Sequence, residues 1–351
     1  MKPPVFIVGS GRCGTTLLYS MLISSGSFAV YRSEVMTFDR IAPAYGNFKK
    51  TVFKKRFLNK WLSSEHFLRT GLEPDLITQR LMNGCHSPFD FQKILMESIV
   101  EEQGAERWCD CTPLNICFMP ALKRYFPDAK FIHIYRDGRD VALSMVKTNW
   151  IKPLTRNEGD SLISAALSWE SIVDTGARLG RKLEKDYMEV RFEELINDPR
   201  AELEKIGAFI DHELDYSRIL SLGLGSVGNP NSSFSEDKTS SRLGFINRWK
   251  AGCTPGELKR IESLIYRGLT SYGYVLSQPA MSRDISPRDS LIRKVHRARF
   301  ISKHLVKTFT PVGRLSTPAL DEGWGNVEEG DKTFRPSLYP EYIHDIVAFK
   351  P

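Results

Sequence analysis

An apolar run that breaks into a glycine-rich turn and resumes with helical spacing limits this chain to few folds. It lies between Pro4 and Met21 and reads PVFIVGSGRCGTTLLYSM. Val5-Phe6-Ile7-Val8 is short and β-branched, the pattern of a buried strand. Gly9-Ser10-Gly11-Arg12-Cys13-Gly14 forms the turn, and Leu17, Leu18, Met21 and Leu22 recur as on a helix face. Strand, glycine turn and helix start in direct succession make an anion site, because N–H groups at the helix start converge and the helix dipole adds positive potential.

The spacing matches a P-loop, G-x-x-x-x-G-K-[ST], with one change. Gly9 and Gly14 take the glycine positions and Thr16 the hydroxyl position, but Thr15 stands where a nucleoside triphosphatase places lysine. The positive side chain comes earlier, at Arg12. The loop is therefore expected to bind an anion other than the triphosphate end of ATP. An ordinary glycine-rich βα turn shares this much of the pattern.

A formal charge of +7 favours an anionic ligand or surface without choosing between them. At 351 residues, 41% of them hydrophobic, the chain can hold one large domain or two smaller ones. No apolar run reaches membrane-spanning length, and the first strand starts too early to leave room for a signal peptide, so a cytoplasmic protein is expected. The six cysteines show no paired C-x-x-C spacing and no metal is expected. Cys109 and Cys111, two apart, fall on one face of a strand and read as reduced thiols.

Downstream, Phe28 to Val30 is expected to be a second short strand ending near Ser33-Glu34. Ligands of open parallel sheets lie beyond the carboxyl ends of strands, where Glu34 could meet the ligand of the first loop; by position alone a solvated loop acid is the better reading. Residues 40–105 carry no central strand. From Asn47 to Leu68, Phe48, Phe53, Phe57 and Trp61 recur near helical spacing among six basic residues, which predicts a helix with a buried aromatic face and a basic outer face. No nucleic-acid recognition motif accompanies that charge. A short strand near Trp108 stops at Pro113, and a helix follows from Met119 to Tyr125.

The second strong signal is Ala129 to Met145. Phe131–Tyr135 reads as a buried strand, Asp137-Gly138 as its turn, and Asp140 as the N-cap of the next helix. Arg136 leaves the strand end and Ser144 lies on the returning helix, so both can reach one anion. His133, inside the strand, reads as a hydrogen-bonded core imidazole. A long helix is expected over Ser161–Lys185, a strand over Tyr187–Phe192, a helix after Pro199, a long binding loop over 223–241, and a helix over Thr254–Tyr272. A boundary near 277–287 separates 1–276 from a C-terminal extension, 277–351. The extension opens with a basic amphipathic helix over 288–307, whose apolar face (Leu291, Val295, Ala298, Ile301, Leu305) is expected to pack on the domain, with an anionic membrane as the other option.

Together these pieces resemble the sulfotransferases that use 3′-phosphoadenosine-5′-phosphosulfate (PAPS), in motifs nearest the bacterial and tyrosylprotein types. The likeness runs in order through residues 4 to about 275. Gly11-Arg12-Cys13-Gly14-Thr15-Thr16 looks like the family's phosphosulfate loop, with Cys13 for its usual serine. Tyr135-Arg136-Asp137-Gly138-Arg139-Asp140 with Ser144 looks like its 3′-phosphate site. Arg191-Phe192-Glu193-Glu194-Leu195 with Pro199 resembles R-Y-E-x-L…P, with Phe192 for tyrosine beside the adenine. Arg242-Leu243-Gly244…Trp249-Lys250 resembles the late segment that closes over the cofactor, with Leu243 for lysine.

The resemblance implies a P-loop-containing three-layer α/β/α fold with a central parallel sheet, PAPS as donor and PAP as product. It implies in-line sulfuryl transfer to a hydroxyl or amine of a small-molecule, carbohydrate or peptide acceptor, with Glu34 as general base and Arg12 on the leaving group. Where the family carries a catalytic lysine or histidine, this chain has Cys109-Asp110-Cys111, which points to Arg248 or Lys250 as the replacement cation, or to altered activity. The other readings are a P-loop kinase or NTPase using ATP–Mg²⁺, for which Asp137 would be the metal-binding acid, and a nucleotide-binding or membrane-surface module that has lost the chemistry.

Overall fold

The computed structural model describes residues 1–45, 48–151, 153, 160–222, 246–277 and 285–309. Its centre is a sheet of four parallel strands: β1 (Val5–Gly9), β2 (Cys109–Asp110), β3 (Lys130–Tyr135) and β4 (Tyr187–Arg191), in the order β2-β1-β3-β4. Val5 pairs with both Cys109 and Lys130, and Phe131 pairs with Tyr187. Successive side chains of a strand point to opposite faces. Val5 and Ile7 accordingly join one core cluster with Ile132, Ile134 and Val190, while Phe6 and Val8 join another with Phe131. Helices cover both clusters, which gives the three-layer α/β/α fold.

The two faces differ chemically. On one, Leu17, Leu18 and Leu22 of the first helix (Thr15–Ser24) pack with Trp169 and Val173 of the long helix Ser161–Gly180. The other is aromatic: Phe6 stacks on Phe131 at 5.1 Å and meets Trp108 edge-on at 5.4 Å, and Phe57, Trp61 and Phe91 extend the cluster. Aromatic pairs at these separations add about 0.5–1.5 kcal/mol each beyond area burial.

Several elements differ from expectation. Phe28–Val30 is not a strand; Phe28 makes one bridge to Arg107. Side chains take the neighbouring backbone groups instead: the Gln103 amide bonds both N–H and C=O of Val30, and the Tyr31 N–H donates to Tyr19 Oη. Asp137, not Asp140, caps the helix Gly138–Lys147, accepting from the Arg139 N–H. Phe192 opens a helix, Phe192–Asn197, rather than closing β4. The span 47–68 holds two helices, Thr51–Trp61 and Glu65–Leu68, because Ser64 starts a new cap. Lys54 is buried among the aromatics and donates to the Met82 carbonyl at 2.6 Å. The long helix ends at Gly180, and the stretch 254–272 is broken at Ile265. Arg242, Gly244 and the expected loop 223–241 lie outside the described residues.

The C-terminal helix, Pro287–Phe309, packs on the rest of the fold by a mixed side, on which Ile292 and Phe300 join the core clusters beside two ion pairs. Asp289 pairs with Arg260 at 2.7 Å, and Arg293 with Glu170 of the long helix at 2.9 Å. The expected apolar face is turned outward instead, with Leu291 62% and Ile301 50% exposed.

Candidate active site

The strand order changes direction at β1, with β2 on one side and β3 on the other, and such a switch point leaves a crevice at the carboxyl ends. The turn after β1 fills it. Gly14, the N-cap of the first helix, has φ of 105°, and a Cβ there would lie 2.4 Å from the Phe192 ring. A Cβ at Gly9 would lie 2.4 Å from the Ile134 carbonyl. Arg12, not a glycine, also takes a left-handed conformation, φ 67°, which costs about 1–3 kcal/mol for a residue with a Cβ. The guanidinium reaches the helix Gly138–Lys147.

There, Arg12 Nε donates to Ser144 Oγ at 3.1 Å. Arg12 and Ser144 come from separate motifs, 132 residues apart, and meet over the helix start. The Arg12 guanidinium is held below its ordinary pKa by burial first, then by repulsion from Arg136 and Arg248. Arg12 thus feels the charge of two further arginines, a repulsion that an anion bound at Arg12 relieves.

Arg136 is 1% exposed at the end of β3. Its guanidinium lies 4.6 Å over the Phe192 ring and 3.4 Å from Asp140, and its carbonyl accepts from Trp169 Nε1 at 3.0 Å. Phe192 is sandwiched between Gly14 and Arg136 and is itself 1% exposed, so it braces the two anion-facing groups from behind. Cys13 also turns inward, its thiol pushed up to about 12 by burial. Thr15 is buried and Thr16 exposed on the first helical turn. Gly11 lies under the half-exposed indole of Trp150, where a Cβ would be 1.7 Å from the ring.

Asp140 holds the far wall. Burial pushes its carboxyl up, Arg136 opposes that, and the Trp249 N–H donates to it at 2.9 Å. Trp249 stacks on Arg139 at 3.8 Å, and Arg139 is tied to Asp137 and Glu262. Of the two candidate replacement cations, Arg248 acts on Arg12, while Lys250 is exposed with its ammonium 5.6 Å from the Trp249 ring.

Glu34 lies on a loop fixed on both sides. Ser33 Oγ bonds His66 Nδ1, and the Val35 N–H donates to Thr112 Oγ1 at 3.1 Å. Thr112 is set by Asp110, a buried carboxylate that accepts from the Thr112 N–H and hydroxyl, Gln92 and Asn115. Burial pushes the Asp110 carboxyl up while those donors pull it down. Cys111 is half-buried beside Glu34; burial, then the Glu34 charge, raises its thiol well above the ordinary range, so it supplies no charge at neutral pH.

The sequence motifs did not single out Trp150, the Asp140 clasp or the Thr112 strut. One signal existed for the last: Asp110 two residues before Thr112, with Pro113 next, is an Asx-turn pattern. A cavity of about 970 Å³ between the long helix and the C-terminal helix lies elsewhere and is lined by Glu170, Asp174, Arg178, Arg293 and Arg297 among others.

Comparison with known proteins gives this geometry a context. Protein-tyrosine sulfotransferase A of Caenorhabditis elegans is 26% identical over 60% of this chain, and the Drosophila melanogaster protein-tyrosine sulfotransferase 27% over 60%. The matches take in 50% and 38% of those two proteins, so the chain spans half or less of their length. A Mycobacterium bovis omega-hydroxy-beta-dihydromenaquinone-9 sulfotransferase, Stf3, is 27% identical over 58% of this chain and 61% of its own. Among solved structures, the sulfotransferase domain of the Synechococcus PCC 7002 olefin synthase superposes with a TM-score of 0.54 at 18% identity, over 78% of this chain and 96% of that domain. The profile described as Sulfotransferase family matches residues 3–216, more than half the chain, and on that match the chain belongs to the sulfotransferase family.

Proposed function

We propose that this sulfotransferase uses PAPS and transfers its sulfuryl group in line to a hydroxyl or amine. The observation that carries the proposal is the bond from Arg12 to Ser144 beside a helix start whose Gly14 backs onto the Phe192 ring under Arg136, with Arg248 acting on the Arg12 charge. The donor set fits the ligand: first-turn N–H groups and Arg12 suit one anionic group, Arg136 and Ser144 a second, and Thr15 stands where a γ-phosphate would call for lysine. When bound, PAPS supplies the activated sulfuryl group.

The chain's own residues then divide the work. Gly11, Cys13, Gly14, Thr15 and Thr16 offer backbone and hydroxyl donors. Arg12 and Arg248 offset negative charge on the leaving side, which makes Arg248 the substitute for the cation absent at Cys111. Arg136 and Ser144 anchor the 3′-phosphate, and binding replaces the Arg12–Ser144 bond with bonds to the ligand. Glu34 accepts the acceptor's proton. Phe192 acts by bracing Gly14 and Arg136, and Arg242 and Gly244 are assigned to the cofactor on their motif alone.

Thermal-shift measurements separate this reading from an ATP–Mg²⁺ enzyme. PAP is expected to raise the melting temperature by several degrees, since a ligand at 100 times its Kd adds about 2.7 kcal/mol of stability. Stabilisation by ATP–Mg²⁺ and not by PAP would sink the assignment. PAP binding without radiolabelled sulfate transfer to any of a broad acceptor panel would favour a module that lost its chemistry.

Thr112 is proposed as a positioning residue for Glu34. Thr112→Val keeps the side-chain shape but leaves the Val35 N–H and Asp110 each short of a partner, a cost of about 1–3 kcal/mol. The expected result is a kcat about tenfold lower at unchanged PAP affinity, restored by Thr112→Ser. A parallel loss of PAP affinity, or no rescue by serine, would show a general structural role.

The same proposal takes 1–276 as the sulfotransferase unit and 277–351 as an extension. It places the enzyme in the cytoplasm, supported by six cysteines that are all free thiols. No described helix is long and apolar enough to cross a membrane. The acceptor is a small molecule, carbohydrate or peptide rather than a nucleic acid.

A further inference from the structure

The C-terminal helix has 23 residues, about 34 Å at 1.5 Å per residue. Its inward side is anchored by two ion pairs, Asp289 to Arg260 and Arg293 to Glu170, with Ile292 and His296 buried and Phe300 packed inward. Its outward side carries Leu291, Val295 and Ile301, 62%, 47% and 50% exposed, with Ala298 also exposed. The spacing i, i+4, i+7 makes this a continuous stripe. Lys294 and Arg299 are exposed beside it, while Arg288 pairs with Asp160 at 3.6 Å and Arg297 lines the cavity toward Asp174. The helix contains a single acid, Asp289, and that acid is buried. The exposed face of residues 287–302 therefore presents apolar side chains and cations with no carboxylate among them.

We infer that this face docks on an anionic membrane surface, with the helix lying in the interfacial plane. The charge pattern decides the occupant. An apolar stripe flanked by cations alone complements a surface that is apolar below and negative at headgroup level. A second copy of the same face would bring like charges together and be opposed by them. The helix also continues toward other basic ground. It touches the short helix Ala42–Tyr45, which touches the helix Thr51–Trp61, where Val52, Lys55, Arg56 and Lys60 are exposed. The turn Thr37–Ile41, just past Glu34, packs against the C-terminal helix as well, so docking would set the Glu34 side of the molecule near the lipid surface. The inference needs only the exposed face and stands whether or not the donor is PAPS.

The test is co-sedimentation of the full chain with phosphatidylcholine vesicles, with and without phosphatidylserine. Binding is expected to be about tenfold or more stronger with phosphatidylserine and to fall steeply with added salt. Leu291→Glu with Val295→Glu, and separately Lys294→Glu with Arg299→Glu, are each expected to lower binding about tenfold. Their melting temperatures should stay at the wild-type value, because these side chains face water. Equal binding to both vesicle types, no binding to either, or wild-type binding by both double variants would overturn the inference. So would a wild-type dimer that Leu291→Glu with Val295→Glu converts to monomer, since the stripe would then belong to a second copy.

Discussion

Arg136→Ala is expected to weaken PAP binding by about 100-fold or more, measured by titration calorimetry. The residue stands at the end of β3 with its guanidinium walled in by Phe192 and Asp140, so its orientation is fixed before any ligand arrives. A charge-assisted contact to phosphate from a preset fork is worth roughly twice an ordinary hydrogen bond, and its loss leaves the phosphate facing apolar atoms. The substitution also removes the partner of a buried acid, a change that costs about 3–5 kcal/mol when the acid stays charged. Here burial already pushes the Asp140 carboxyl up, so it can take a proton instead, and the variant is expected to fold with a smaller penalty. Arg136→Lys keeps the charge and loses the planar fork, and should fall between the two. Unchanged PAP affinity in a folded Arg136→Ala protein would refute the 3′-phosphate role.

Glu34→Gln is expected to leave PAP affinity intact and lower turnover about 100-fold on a weakly acidic hydroxyl, within the range removed with a general base. The carboxamide keeps the size, and the flanking contacts of Ser33 and Val35 continue to hold the loop. Unchanged PAP affinity beside lowered turnover would assign the loss to the chemical step. An acceptor that ionises readily should lose less, because it needs less help with its proton. Full activity toward a poorly acidic alcohol would remove Glu34 from the role.

Local signals made part of this legible in advance. The strand, turn and helix around Gly9–Thr16 are written in contiguous residues, and so is the strand-to-helix step that carries Arg136 and Ser144. What the sequence concealed depends on partners far along the chain. The Val35 to Thr112 bond joins residues 77 apart, and Trp150 returns to Gly11 through a left-handed turn at Asn149. Periodicity found the C-terminal helix and its stripe but assigned the stripe to the wrong side. A helix's apolar moment states which residues share a face; here the ion pairs of Asp289 and Arg293 chose which face turns inward. Phe28–Val30 failed as a strand for a related reason, since Gln103 and Tyr19 supplied the bonds a neighbouring strand would have made.

Asp140 has one carboxylate and two dependents, the Arg136 guanidinium on β3 and the Trp249 backbone at the start of the segment that carries Arg248. A ligand that draws on Arg136 changes the charge Asp140 sees, and with it the strength of its hold on Trp249. By thermodynamic reciprocity, whatever fixes Trp249 more firmly must alter ligand affinity at Arg136 by the same factor. Under the proposed roles of Arg136 and Arg248, anion occupancy and the seating of Arg248 become two faces of one equilibrium, so the replacement cation would be recruited through the phosphate site rather than independently of it.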